Sequence, residues 1–100
     1  MAKQVVWTLR AQDDRKKILN YWRQRNKSAV FSIKLNQLFI NTINLIADFP
    51  KIGKPTSDNN ARIKIIKDYL MIYQETDTTI YILTIWDSRQ NPEKLEEILK

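Results

Sequence analysis

The chain has no cysteine, no histidine, a single glycine and three prolines in 100 residues. Without cysteine there is no disulfide framework and no sign of an oxidising compartment. Without cysteine and histidine together, the usual zinc ligands are missing, and so are the Cys-His and Ser-His-Asp arrangements of nucleophilic catalysis. No metal and no cofactor is expected. No stretch approaches the roughly 18 consecutive apolar residues that read as a membrane span. The opening Met1 to Trp7 lacks the apolar core of a signal peptide, so a cytoplasmic chain with no membrane partner is the expectation. Scarce glycine alongside 43% hydrophobic residues argues for an ordered globular chain.

The length predicts a single domain over residues 1–100, with one core and no room for a deep substrate cleft. Basic residues dominate, giving a net charge of +6 that is unevenly placed. Residues 1–59 hold eleven Lys and Arg against four Asp and Glu, a net of +7, whereas residues 60–100 hold six against seven, a net of −1. A basic first half favours an anionic partner, whether nucleic acid, ribosome or an acidic protein segment. Such charge also keeps a small protein soluble.

Lys3 to Thr8 is β-branched and aromatic and reads as a strand. Thr8 is placed to N-cap a helix over Leu9 to Asn26, with Asp13 and Asp14 near its positive end. Ala11, Ile18 and Trp22 form its apolar stripe, flanked by Leu19 and Tyr21. Lys16, Arg23 and Lys27 stack on the opposite face. Ser28 is the expected N-cap of a second helix, Ala29 to Asp48, with Phe31, Leu35, Leu38, Leu45, Ile46 and Phe49 as its apolar face. Pro50 ends it. Two long helices joined by two or three residues lie antiparallel, and their apolar stripes need a sheet to cover them. Lys51 to Asn60 reads as a loop. Three strands follow, at Ala61 to Ile66, Tyr69 to Glu75 and Thr79 to Trp86. The last two are apolar on both faces and so central. Asn91 and Pro92 open a short final helix with Leu95, Ile98 and Leu99 on its apolar side. The predicted fold is α+β: strand, helix, helix, three strands, short helix, with the helical hairpin packed on a four-stranded, mostly antiparallel sheet.

Arg62 and Lys64 share a strand face, and Arg89 follows another strand. Together, with Lys67 nearby, they form a candidate phosphate site on the sheet face away from the helices. RNA cleavage would also need a proton acceptor and a donor, for which the candidates are Lys64, Tyr69, Tyr73 and Asp87. Without further context Arg62 and Lys64 read first as the solvated face of an outer strand. Asp87 and Arg89, two apart at a strand end, are spaced for an ion pair that fixes the turn before Pro92. Trp86 and Trp22 read as core. The Lys16, Arg23, Lys27 stripe is either a solvated helix face or a contact with an anionic partner.

The ordered set of pieces resembles the RelE/ParE superfamily of toxins from bacterial type II toxin–antitoxin systems. The pieces are Trp7-Thr8 with Ala11, Tyr21-Trp22, Pro50-Lys51-Ile52-Gly53, Arg62, Tyr69-Leu70-Met71-Ile72-Tyr73, and the run from Ile82 to Pro92. The resemblance implies a cognate antitoxin, an acidic or amphipathic segment that folds along this chain as a helix in a groove or as an added strand. It also implies one of two activities. RelE-like members cut mRNA on the ribosome, and Arg62, Lys64 and Arg89 resemble their basic catalytic residues. ParE-like members bind DNA gyrase without being nucleases. Leu70 and Leu95 stand where the nucleases keep an arginine and a late tyrosine, and Asp87 stands where many relatives carry histidine. The long, nearly uninterrupted hairpin is more like the ParE branch. Gyrase inhibition is therefore the expected activity, with Lys16, Arg23, Lys27, Lys67, Asp87 and Leu95 as candidate binding residues. A ribosome-dependent endoribonuclease is the alternative, and a basic nucleic-acid-binding module the second alternative.

Overall fold

The computed structural model describes residues 3–56 and 61–89. Its elements run β1 (Gln4–Trp7), α1 (Leu9–Asn26), α2 (Val30–Asp48), β2 (Lys54–Pro55), β3 (Ala61–Ile66), β4 (Tyr69–Glu75) and β5 (Thr79–Asp87). The final helix expected after Asn91, Leu95 included, lies outside the described residues.

Local chemistry sets the helix ends. The Thr8 hydroxyl accepts from the Ala11 amide at 3.2 Å and so caps α1. At the other end Lys27 takes a left-handed φ of 50°, and its amide donates to the Gln24 carbonyl. Ser28 does accept from the first turn of α2, through Val30 N at 3.2 Å, but Ala29 occupies the cap position and the helix begins one residue later than expected. Phe49, restrained by Pro50, leaves the helical region and closes α2, its amide still donating to the Leu45 carbonyl. Asp13 and Asp14 sit one turn too deep to complement the α1 dipole, since its first turn holds no acid. Asp13 instead pairs with Lys17.

The sheet has five strands in the order β1-β5-β4-β3-β2, one more than expected. The addition is the two-residue β2, which pairs antiparallel with β3 through Lys54↔Ile63 and Pro55↔Arg62. Its Gly- and Pro-containing surroundings read as loop, because two residues are too few to carry a period-2 pattern. β1 runs parallel to β5, and the other pairings are antiparallel. β4 and β5 are interior strands, as their two-sided apolar pattern requires. Ile72 faces Thr84 while Tyr73 faces Ile82, so Leu83 is the extra residue of a bulge.

Both helices lie on one face of the sheet, over a core of Leu35, Phe39, Ile46, Met71, Tyr73, Ile80 and Ile82, all fully buried. The inward line of α2 is Leu35, Phe39, Ile43 and Ile46, with Ser32 and Ala47. Leu45 and Phe49, expected on that face, are 38% and 61% exposed. α2 is apolar on more than one side, so periodicity admits two stripes and the docking of α1 and the sheet selects one. Over Val30–Asp48 its mean hydropathy reaches 1.2, long and apolar enough by length and composition to cross a membrane. In this fold its apolar line forms the core. Trp86 is buried, and Trp22 packs against the core edge-on to Phe31. Trp7 is partly buried under the Arg15 guanidinium, 4.6 Å from the ring centre.

Candidate functional site

Two tyrosines on β4, Tyr69 and Tyr73, mark the two ends of the helix-facing side of the sheet. They lie four residues apart on one strand, so about 13 Å separates them at about 3.3 Å per residue.

At the Tyr73 end the side chains of Tyr73, Arg62 and Glu75 are all engaged. The buried Tyr73 hydroxyl accepts from Gly53 N and donates to the Pro50 carbonyl, each at 2.8 Å. Arg62, directly across from Tyr73 in the β3–β4 register, donates through one guanidinium nitrogen to the carbonyls of Gly53 (2.8 Å) and Lys51 (3.2 Å). Together they clamp the Pro50–Gly53 segment onto the sheet. Gly53 is needed for space, not for its dihedral: a Cβ there would stand 2.5 Å from the Tyr73 hydroxyl oxygen. Burial pushes the Tyr73 phenol up, partly offset by the Gly53 amide bonded to it. Beside this segment Glu75 is gripped by Lys3 (2.7 Å) and Lys51 (3.2 Å), which hold its carboxyl below the usual range, Lys3 more than Lys51.

The Tyr69 end is open. A cleft of about 480 Å³ lies between α1 and the end of β5. Arg10, Asp14, Lys17, Ile18 and Tyr21 of α1 line one wall. Tyr69, Ile85, Trp86, Asp87 and Arg89 line the other. Asp14 reaches across to β5, where one oxygen accepts from the Thr84 hydroxyl and from Ile85 N. Asp87, opposite Tyr69 in the register, accepts from Arg89 through Nε (3.0 Å), Nη2 (2.8 Å) and the backbone N (2.9 Å). The Arg89 guanidinium holds the Asp87 carboxyl well below its ordinary value, and Asp87 in turn pushes Arg89 up. The Tyr69 hydroxyl accepts from Trp22 Nε1 at 2.7 Å, and among the described residues its own hydrogen has no acceptor. Burial raises the Tyr69 phenol, so it stays protonated at neutral pH.

The structure thus separates the expected phosphate site. Arg62 and Lys64 do share a face, but it is the helix side: their cross-strand partners Tyr73 and Met71 belong to the core. Arg62 is tied to the loop carbonyls at the closed end, and Arg89 stands with Asp87 at the open end. Lys67 is exposed in the β3–β4 turn, next to Asp68, whose carbonyl accepts from Ser88 N. The Asp87–Arg89 ion pair forms as its spacing suggested, while Pro92 lies outside the described residues. Lys16, Arg23 and Lys27 are exposed. Arg23 and Lys27 border a shallow hollow at the helical bend, away from the cleft. Of the α1 residues lining the cleft, the sequence reading names neither Arg10 nor Lys17, and it places Asp14 only at the helix dipole and Tyr21 only beside the apolar stripe. Their spacing of four, three and four does place them on one helix face, but nothing local shows that this face meets the end of β5.

A sequence model of the family described as the ParE toxin of type II toxin–antitoxin systems, parDE, matches residues 5–92. Among solved structures, one from the chromosomal ParDE toxin–antitoxin system of P. aeruginosa superposes with a TM-score of 0.72 at 16% identity. That match covers 84% of this chain and 94% of the other. No curated protein sequence matches the chain.

Proposed function

The chain belongs to the ParE toxins of type II toxin–antitoxin systems, and we propose that it arrests bacterial growth by binding DNA gyrase, without cleaving RNA. The observation that carries this reading is the engagement of Arg62. A nuclease would need that guanidinium free beside the scissile phosphate. Here it is bound to the carbonyls of Lys51 and Gly53, at the opposite end of β4 from Arg89. Three of the four proton-transfer candidates point the same way. Burial holds Tyr69 and Tyr73 protonated, and Arg89 holds Asp87 ionised. A general base or acid works best with a pKa near the operating pH, and these three groups are moved away from it.

Membership of the family implies an antitoxin as partner, and the exposed cations Lys16, Arg23, Lys27 and Lys67 make an acidic one favourable. The proposed contacts with gyrase are the exposed Lys16 and Arg23 of α1, Lys27 at its C-terminal cap, and the C-terminal residues around Leu95. Induction in a bacterial host tests the reading. DNA-damage signalling and trapped gyrase–DNA complexes should appear with growth arrest, before any loss of mRNA. Rapid ribosome-dependent mRNA cleavage with gyrase activity intact would establish the endoribonuclease alternative instead.

A further inference from the structure

The clamp at the Tyr73 end has an outer side. Four hydrogen bonds with Tyr73 and Arg62 fix the backbone of Pro50 to Gly53. A segment held this way cannot turn its side chains inward. Ile52 stays 42% exposed, and Phe49, just past the end of α2, is 61% exposed. Leu45, one helical turn before Phe49, is 38% exposed. Phe49, Pro50 and Ile52 line the apolar side of a hollow of about 570 Å³, with Lys3, Lys51, Asp48 and Glu75 around it. Single exposed apolar residues are ordinary on a protein surface, but a contiguous group marks a contact site. Because its backbone is already fixed, little ordering entropy is lost when a partner covers it.

Charge selects the occupant. The chain as a whole carries +6, yet the rim of this hollow holds two lysines and two acids and is neutral. The cleft at the Tyr69 end has three cations against two acids. The hollow at the helical bend has Arg23 and Lys27 and no acid. Two copies of a basic chain repel each other over such surfaces. Among the described hollows, this is the one where they can meet without excess like charge. An anionic partner gains little here, since Lys3 and Lys51 already grip Glu75. The rim is also self-complementary. Asp48 is exposed and has no ion-pair partner among the described residues. Lys51, three residues on, has a side chain 76% exposed, and its ammonium has donors beyond the one given to Glu75. In a two-fold contact residue i meets j while j meets i, so an acid and a lysine flanking one apolar centre form two ion pairs at once.

We propose that two copies of this chain meet here about a two-fold axis, Phe49 and Ile52 of each packing on those of the other, with Asp48 of one copy against Lys51 of the second. Four exposed apolar residues are far fewer than the roughly 20–30 residues a side of a permanent interface, so the dimer is weak and concentration-dependent. The proposal goes beyond the growth-arrest reading and does not rest on it.

Sedimentation equilibrium of the full chain tests it. A species of twice the single-chain mass should populate at about 100 µM and above. Phe49→Ser and Asp48→Lys should each weaken association roughly tenfold or more. Both positions are exposed, so the thermal midpoint should stay where it is. A charge swap identifies the two-fold contact itself. Asp48→Lys alone sets lysine against lysine, and Lys51→Asp alone sets acid against acid, so each variant should be monomeric. Mixed in equal amounts they regain both ion pairs and should form the mixed dimer. The proposal is overturned if the unaltered chain is monomeric at about 1 mM. It is overturned equally if Phe49→Ser and Asp48→Lys leave the dimer intact, which would put the contact elsewhere, or if the two charge variants fail to associate when mixed. A monomer in which Phe49→Ser abolishes growth arrest would assign the hollow to another protein and also overturn the proposal.

Discussion

The Tyr73 end and the Tyr69 end use similar parts to opposite purposes: each has a buried tyrosine on β4, an arginine, and a carboxylate held by a basic side chain, which is Lys3 and Lys51 at one end and Arg89 at the other. Tyr73 both donates and accepts, and Arg62 bonds to the loop that Tyr73 holds. That end is a closed joint between α2 and the sheet. Among the described residues Tyr69 only accepts, Arg89 is half exposed beside its partner, and a cleft stands over them. The residue types are the same. What differs is whether a segment of the chain's own backbone passes over them. At the closed end Pro50 to Gly53 does. At the open end the described chain leaves the edge of β5 uncovered.

The largest effect should come from Gly53→Ala. A methyl group 2.5 Å from the Tyr73 oxygen and 2.8 Å from its ring cannot be absorbed by a fully buried side chain. Overpacking and a broken hydroxyl network together predict a loss of about 2 to 3 kcal/mol in chemical denaturation. Tyr73→Phe should follow at about 1 to 3 kcal/mol, because the buried Gly53 amide loses its acceptor. Tyr69→Phe should cost less, about 1 kcal/mol, since the bond it loses to Trp22 is only partly buried. Equal losses at the two tyrosines would erase the distinction between the ends.

The arginines sharpen the same contrast. Arg62→Ala should destabilise by about 1 to 2 kcal/mol through its two carbonyl bonds. Arg89→Ala should leave the midpoint nearly unchanged, because its ion pair lies in solvent. Arg62→Ala with full stability and abolished toxicity would instead mark Arg62 as a functional cation.

Acid and alkali should act on both ends together. Glu75 at the closed end and Asp87 at the open end have folded pKa values below their unfolded ones. Their stabilisation is therefore present above the ordinary carboxylate range and is lost as pH falls through it, below roughly pH 4. Tyr69 and Tyr73 have folded values above the unfolded one. Their contribution holds below roughly pH 10 and disappears as pH rises further. Denaturation midpoints measured across pH should fall at both extremes, and Tyr73→Phe should flatten the alkaline limb.

The smallest effect is a gain. Lys67 at the open end has a φ of 53°, a region that disfavours side chains. Lys67→Gly should stabilise by about 0.5 kcal/mol. A loss there would mean that the lysine makes contacts that outweigh its backbone strain.

Among the described residues, the sequence alone determined the order of the elements apart from β2, and the bounds of α1, because caps, helical periodicity and Pro50 act within a few residues. It also determined the interior place of β4 and β5, since a strand apolar on both faces must be covered on both. The Asp87–Arg89 pair was legible for the same reason, two residues apart on one strand. Tertiary structure decided the rest. Which stripe of α2 turns inward depended on where α1 and the sheet press against it, and β2 exists only because β3 is there to pair with it. Arg62 and Arg89 looked alike in the sequence. Arg62 became a structural clamp because backbone nine and eleven residues earlier in the chain passes over it. The open cleft likewise depends on Asp14 meeting Thr84, 70 residues away. No local pattern encodes such meetings, which arise only when the helical hairpin closes over the sheet.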